Sequence, residues 1–492
     1  RQSDTDNFPP RGRAAGRTEG DVMDIWDYAV LLAYFGILVG IGWRASRRQK
    51  DMTQYFVGGR RTGTLAIMTL WMASWVGGAT ILGTAEQAYE MGLRSLLYPC
   101  AIAFGCVLFA LTFTGKIKEA GDAHGHITYP DFIEKHYGSR CRVVSTVTAF
   151  CANIGYTSSQ LLATALIMNQ LTGWSLGLSF VVSTAVTVLY TAAGGFLAMD
   201  ETCRFQAALI FIGTGLVGMP LTLWAVGEAG HAAAELPAGF TSFGGVSGWS
   251  LVGMFLSVIM TFYTSSDSYI RCFSAKSRRA ATVGTMLAAL LIVSIGVSVC
   301  VMGLGARLLF PELGDGANAF ITIIMRLFPS GVKGLMLVVL LAAIMSTACS
   351  CILAASANIT RDIYQRFINP GAPDRRVVGL SVAGSVLVGA VSALLAWYVR
   401  DIIGLLFMAF TINSASLFLP TLGAYFWRRG TERAAFWSIA LSLATVLVWY
   451  AGRECLPGAA LFDVDPVWPG LALSAALFFS LSLRGGKDGG RR

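Results

Sequence analysis

Charge is what this sequence has little of. Asp, Glu, Lys and Arg make up 13% of its 492 residues, where soluble domains carry roughly 25%. That shortage excludes an ordinary water-soluble globule. Histidine is scarce as well, with four residues. His124, His126 and His136 share one polar stretch, but their spacing lacks a Cys or Glu at helical distance, so no metal site is expected there. His231 stands alone. The ten cysteines contain no CxxC pair, and Cys349 and Cys351 point to different helix faces, so neither a disulfide framework nor a zinc site is expected. No nucleophile–base pair or phosphate loop occurs, and the chain is not expected to be an enzyme. The net charge of +9 is spread over many loops and forms no single patch, which excludes a nucleic-acid partner.

What the chain has instead is long apolar runs. They come in blocks of about 20 residues, the length that spans a bilayer core of ~30 Å. About 13 spans are expected, near 25–43, 64–88, 94–115, 143–171, 174–193, 205–227, 249–270, 281–306, 333–357, 378–398, 402–426, 434–452 and 467–483. The first block is too long for a cleaved signal and is followed by Trp43-Arg44. Residues 25–483 are therefore read as one transmembrane domain in a lipid bilayer. Residues 1–24, rich in Arg, Gly and Pro, are expected to be disordered, and 484–492 form a short tail. Basic residues set the orientation. With the N-terminus outside and the C-terminus in the cytoplasm, roughly 27 of the 37 Lys and Arg fall inside, as the positive-inside rule requires. The membrane is expected to be the plasma or inner cell membrane.

One span breaks in its own middle. Residues 63–92 are long and apolar enough to cross, but Trp75-Val76-Gly77-Gly78 places a glycine pair at the centre. Glycine weakens a helix, and freed carbonyls at membrane depth are tolerated only against protein or a water-filled cavity. An interrupted helix is a candidate ion or substrate site; close helix packing through small residues is the other reading. A second polar break, Thr264-Ser265-Ser266-Asp267-Ser268, lies five spans later. Paired breaks in corresponding positions suggest an inverted repeat, with halves at about 64–227 and 249–426. The alternative is that 264–271 is simply a helix end, with Asp267 and Arg271 near the interface. In the ninth span, Ser346 and Thr347 follow Ala343 by three and four residues, so two hydroxyls and one carbonyl share a face. With two carbonyls from the broken span they would make five neutral oxygens. That set suits Na⁺ and suits Mg²⁺ or Ca²⁺ poorly, since those recruit carboxylates. Alternatively, both hydroxyls bond back to their own helix.

Taken together, DMTQYFVGGRR (51–61), MASWVGGATILGTAEQAYEMG (72–92), YPDFIEKHYG (129–138), YTAAGGFLAM (190–199), YIRCFSAKS (269–277) and LAAIMSTACSCILAASANITRDIY (341–364) resemble the sodium:solute symporter family. WVGGATILGTAE is similar to its high-affinity choline transporters and AAIMST to its proline/sodium symporters. The resemblance covers about residues 25–430. It implies an all-α membrane protein with the LeuT-like 5+5 inverted repeat and discontinuous helices, and a Na⁺ site built from the carbonyls of Ala73, Val76 and Ala343 and the hydroxyls of Ser346 and Thr347. Cys203 stands where the family usually has an aspartate, which puts a second Na⁺ in doubt. Trp75 matches one aromatic of a choline cage, but Ser265 and Thr157 stand where tryptophans would complete it, and one wall does not hold a quaternary ammonium.

The expected function is Na⁺-coupled symport of a small organic solute by alternating access. Trp75, Tyr156, Gln160, Ser265 and Asp267 are the candidate solute contacts. Glu86 and Asp267 are acids within or near spans, and such acids either serve function or pair with arginines such as Arg94 and Arg271. A solute sensor on a transporter fold would need a signalling domain, and the tail after the last span is too short for one. Proton coupling would need a titrating acid beside the ion ligands, and the Ala343–Ser346–Thr347 trio has none. These motifs leave the solute, the stoichiometry and the oligomeric state open.

Overall fold

A computed structural model describes residues 23–48, 51–245, 248–313, 319–427, 429–456, 462 and 464–485. Most of the expected disordered N-terminal segment, the tail beyond 485, and Lys50, Arg428, Lys487, Arg491 and Arg492 of the orientation argument lie outside the described residues.

The described chain is built of helices. In hydrocarbon each backbone N–H and C=O must pair within its own segment, and these blocks do so as α1 (Ile25–Ser46), α2 (Met52–Val57), α3 (Thr64–Trp75), α4 (Thr84–Met91), α5 (Leu97–Phe109), α6 (Gly115–His124), α7 (Tyr129–Tyr137), α8 (Ser139–Thr172), α9 (Leu176–Phe211), α10 (Met219–Glu228), α11 (Gly248–Thr264), α12 (Ser266–Ser274), α13 (Arg278–Leu309), α14 (Ala319–Leu327), α15 (Val332–Ala357), α16 (Asp374–Val399), α17 (Ile402–Phe426), α18 (Glu432–Cys455) and α19 (Val467–Gly485). Serine and threonine inside these helices return their hydroxyls to the preceding turn, as Thr157 does to the Asn153 carbonyl at 2.8 Å and Thr191 to Thr187 at 2.6 Å, so they need no outside partner. The entry to α7 matches its sequence signature. Thr128 and Asp131 form a capping box, and Pro130 sits in the first turn.

Nine helical stretches among the described residues are long and apolar enough to cross a membrane. The expectation of thirteen is not met by that criterion. Two expected spans are broken, leaving Thr64–Trp75 and Leu251–Thr264 as shorter apolar helices; Ser139–Thr172, where 143–171 was expected, is not among the nine; and two stretches join expected spans, Ala79–His124 taking in the rest of the second with the third and Leu176–Glu228 the fifth with the sixth. The latter stretch has 53 residues, about 80 Å of helix and far more than one crossing needs. It bends at Gly195, whose φ of +50° lies in the region only glycine adopts freely. A Cβ there would stand 2.8 Å from the Tyr55 ring, so this glycine is demanded by both backbone and packing.

α15 is the central post. It packs against α1, α8 and α9, and 89% of its most apolar window is buried. Its first turn is anchored by a buried carboxylate from α1: Asp27 Oδ1 accepts from the backbone N–H of Gly331 at 2.8 Å and of Gly334 at 2.7 Å. Gly334 is what permits the approach, since a Cβ there would lie 2.6 Å from the Asp27 Cα. Around this core, exposed residues such as Leu111, Val181, Leu290, Leu394 and Val448 give the outer helices an apolar surface suited to lipid.

Candidate functional site

Both expected breaks are present. α3 ends at Trp75, Val76 leaves the helical region at φ −93°, ψ 79°, and helix resumes beyond Gly77. α11 ends at Thr264, Ser265 is extended at φ −68°, ψ 125°, and α12 begins at Ser266. Asp267 and Arg271 are both buried, and helix resumes as α12, so 264–271 is an interruption between two helices and not simply a helix end.

The first break packs on the middle of α15. Ser346 Oγ donates within 2.6 Å of the Ala73 carbonyl and 2.9 Å of the Ala343 carbonyl. Thr347 Oγ1 lies 3.3 Å from the carbonyls of Ala73, Ser74 and Ala343. The hydroxyls therefore bond both back into their own helix and across to the broken one, so neither sequence reading excluded the other. Four of the five expected oxygens converge: those of Ala73, Ala343, Ser346 and Thr347. Val76 is buried in the break beside them, and the further carbonyl that Thr347 reaches, besides those of Ala73 and Ala343, is that of Ser74, which the sequence reading did not name. Both glycines of the break matter for contact. A Cβ on Gly77 would sit 3.2 Å from Thr347 Oγ1 and 3.4 Å from Gln160 Oε1, and one on Gly78 would sit 3.3 Å from Ile344. The cluster is made of neutral oxygens, and its hydroxyl protons can rotate away to turn lone pairs toward a cation. This donor chemistry fits a weakly held monovalent ion.

Beside this cluster lies a small cavity of about 60 Å³. All five residues expected to meet the solute line it: Trp75, Tyr156, Gln160, Ser265 and Asp267. Thr347, Tyr98, Thr261 and Phe410 complete the polar and aromatic wall. Thr347 thus belongs to the oxygen cluster and to the cavity at once. Gln160 Oε1 is buried without a hydrogen-bond partner, a group left open toward a ligand. Trp75 is held flat by Phe262, with ring centroids 3.9 Å apart and planes at 5°. Thr157 returns its hydroxyl to its own helix.

Asp267 pairs with Arg271 one turn along α12. The Arg271 guanidinium also donates to Ser74 Oγ and lies 4.9 Å over the Trp71 ring. Ser74 Oγ in turn is 2.9 Å from Ser350 Oγ. One buried cation therefore ties both breaks to α15. Sequence reading named the Asp267–Arg271 pair but missed Ser74, Phe262 and Tyr98. Cys203 is fully buried. The acids nearby are engaged elsewhere: Asp200 with Arg204, and Glu201 with Arg48 at 3.2 Å.

Two broken helices meeting a continuous one at a polar centre define a transporter of the LeuT-like fold. The chain belongs to the sodium:solute symporter family, whose sequence profile matches residues 55–441. It is 26% identical over 461 residues to the high-affinity proline transporter PutP of Bacillus subtilis, covering 90% of this chain and 95% of that protein. It is also similar to the sodium/mannose cotransporter SLC5A10 of Bos taurus, at 27% over 505 residues, with 87% and 79% covered. In fold it resembles a Na⁺-coupled sialic acid symporter solved in a substrate-bound outward-open state, with a TM-score of 0.77, 17% identity, and 94% of this chain and 98% of that one covered. A closed conformation of Mhp1, a nucleobase-cation-symport-1 family transporter, gives a TM-score of 0.56 at 17% identity, with 89% and 96% covered. The family and these relatives are transporters rather than enzymes.

Proposed function

We propose that this protein is a secondary active transporter that couples inward Na⁺ movement to uptake of a small zwitterionic solute of the amino-acid kind, by alternating access of two inverted repeats, about 64–227 and 249–426. The observation that carries this reading is the double position of Thr347, whose hydroxyl joins the Ala73–Ala343–Ser346 oxygens and whose side chain lines the cavity. A cation held there stiffens the break at 75–78 against α15 and so shapes the cavity wall at Trp75. Ion and solute then tighten each other's binding by one factor. Val76 completes the proposed ligand set. With Cys203 buried and Asp200 and Glu201 paired to arginines, one Na⁺ moves per cycle.

The solute class rests on charge. The Asp267 carboxylate at the cavity is balanced by Arg271 behind it, so the lining is neutral as a whole and disfavours a solute of net charge. An ammonium group suits Asp267 and the faces of Trp75 and Tyr156. A carboxylate suits the half-helix that restarts after Gly77, whose N-terminal dipole end favours an anion. The name of the Bacillus relative makes proline the first solute to try. The protein works in the cell membrane with its N-terminus outside and C-terminus in the cytoplasm. In proteoliposomes, an inward Na⁺ gradient should drive accumulation of labelled proline or a related zwitterion, and a K⁺ gradient should not. Na⁺-driven uptake of a sugar or choline in its place would overturn the solute class, and uptake indifferent to Na⁺ would overturn the coupling.

A further inference from the structure

Several helical turns from Tyr156 on α8 and from Thr347 on α15, α7, the first turn of α8 and the helical extension 358–368 of α15 line a second, larger basin of about 520 Å³. Its wall carries four cations, Lys135, Arg142, Arg361 and Arg366, and two carboxylates, Asp131 and Glu134.

The carboxylates are already satisfied. Arg142 is 2% exposed and holds Asp131 at 2.8 Å, Glu134 at 2.6 Å and, behind the wall, Asp362 at 2.6 Å. Arg366 takes the other oxygen of Glu134 at 2.7 Å. Burial alone would raise the Asp131 carboxyl, but Arg142, Arg361 and the N–H groups of Ile127 and Thr128 hold it below the usual range. Glu134 is held down in the same way by Arg366 and Arg142. Burial pushes His126 down to about 4, so it adds no charge at neutral pH. Four cations thus face three carboxylates, and the excess sits on Lys135 and Arg361. Among the described residues no carboxylate lies within 4 Å of Lys135, and Arg361 reaches Asp131 only at 4.0 Å. The Arg361 guanidinium also donates to Gln365 Oε1 at 2.9 Å, a neutral partner that leaves its charge uncompensated.

We propose that this basin is a binding site for a phosphate-bearing anion, held by Lys135 and Arg361. An exposed ammonium and a guanidinium lining one basin are donors that a phosphate group uses, and the basin is roomy enough for a phosphate ester. A soluble ester and a phospholipid headgroup present the same group, and the two arms of the experiment below separate them. Its place gives it leverage. Tyr129 and Phe132 of α7 pack on Tyr269 of α12, at 4.8 Å and 5.5 Å between centroids, while the opposite wall continues α15, which carries Ser346 and Thr347. An anion bridging Lys135 and Arg361 would clamp α7 to that extension. On the proposed topology the basin opens to the cytoplasm.

The purified full-length protein in detergent is titrated with inorganic phosphate and with glycerol 3-phosphate by calorimetry. In a second arm it is placed in nanodiscs of phosphatidylglycerol or of phosphatidylcholine, and its melting temperature is compared. Saturable binding of a soluble phosphate assigns the soluble source. Stabilisation by phosphatidylglycerol alone assigns the lipid. Either result should weaken roughly tenfold in Lys135→Gln and in Arg361→Gln, the loss of one charge-assisted contact, and should persist in Ser346→Ala, which separates this site from the sodium reading. Lys135 is exposed, so its variant tests the site without touching the core. No response to any of the probes, or equal binding by parent and both charge variants, would overturn the proposal and leave the arginines as internal struts.

Discussion

Removing one hydroxyl at a time from α15 tests the proposed ion site directly. Ser346→Ala deletes an oxygen that is fully buried, and Thr347→Val deletes one while keeping the side-chain shape. Without the ion, the single Ser346 hydroxyl proton is shared between the Ala73 carbonyl at 2.6 Å and the Ala343 carbonyl at 2.9 Å, worth about 1 kcal/mol in net stability. The variant therefore loses some stability in the ion-free state too, and the measured affinity reports only the difference. With the ion bound, a desolvated cation is left short of one of its few oxygens, at about 1–3 kcal/mol per lost polar contact. Sodium affinity should weaken roughly ten- to a hundredfold, since 1.4 kcal/mol is tenfold.

Linkage extends the consequence to the solute. Its affinity at low Na⁺ should fall with the sodium affinity and recover as Na⁺ is raised. Equilibrium binding of labelled solute across a Na⁺ titration reads both quantities. Thr347→Ser keeps the hydroxyl and should stay close to the parent. Ser350→Ala is the matched control. Its hydroxyl touches Ser74 Oγ at 2.9 Å and the Ser346 carbonyl at 3.2 Å rather than the Ala73 and Ala343 oxygens, so it should lower stability slightly and leave sodium dependence alone. Unchanged sodium dependence in both Ser346→Ala and Thr347→Val would refute the site.

Three further outcomes are expected. Asp27→Ala removes the carboxylate that caps α15 and should destabilise the protein by about 2 kcal/mol, read as a lower melting temperature in detergent; an unchanged melt would show that water replaces the cap. Gly195→Ala combines a disfavoured backbone with a Cβ 2.8 Å from Tyr55 and should lose about 1–3 kcal/mol, visible as poor yield and early melting. Asn358-Ile359-Thr360 matches a glycosylation sequon, but Asn358 is 1% exposed in helix at the proposed inner end of α15; it should carry no glycan on expression in a glycosylating host, and a mobility shift removed by Asn358→Gln would reverse the topology.

The sequence located helices well and side-chain partners poorly, for one physical reason. A bilayer span announces itself by length and hydropathy, so expected spans such as 333–357, 378–398 and 402–426 fall within a few residues of α15, α16 and α17. The breaks were legible because glycine and clustered hydroxyls are conspicuous at membrane depth. Facing is different. A helix apolar on every side has no stripe to show which residue meets which neighbour, so the stacking of Phe262 on Trp75 and the closeness of the Ser74 carbonyl to Thr347 left no local trace. Gly195, at φ 50° and ψ −144°, lies outside the helical region and divides α9 into two helical runs, so the chain changes direction between the expected spans 174–193 and 205–227. Arg271 makes the point most sharply. By composition it belongs with the interfacial arginines, and its depth follows only from Asp267, Ser74 and Trp71 gathered around it by three different parts of the fold. A buried guanidinium is tolerated when such partners are already in place. Arg271 can therefore hold both broken helices in register only after the fold has brought Ser74 to it, and no local reading of YIRCFSAKS could supply that condition.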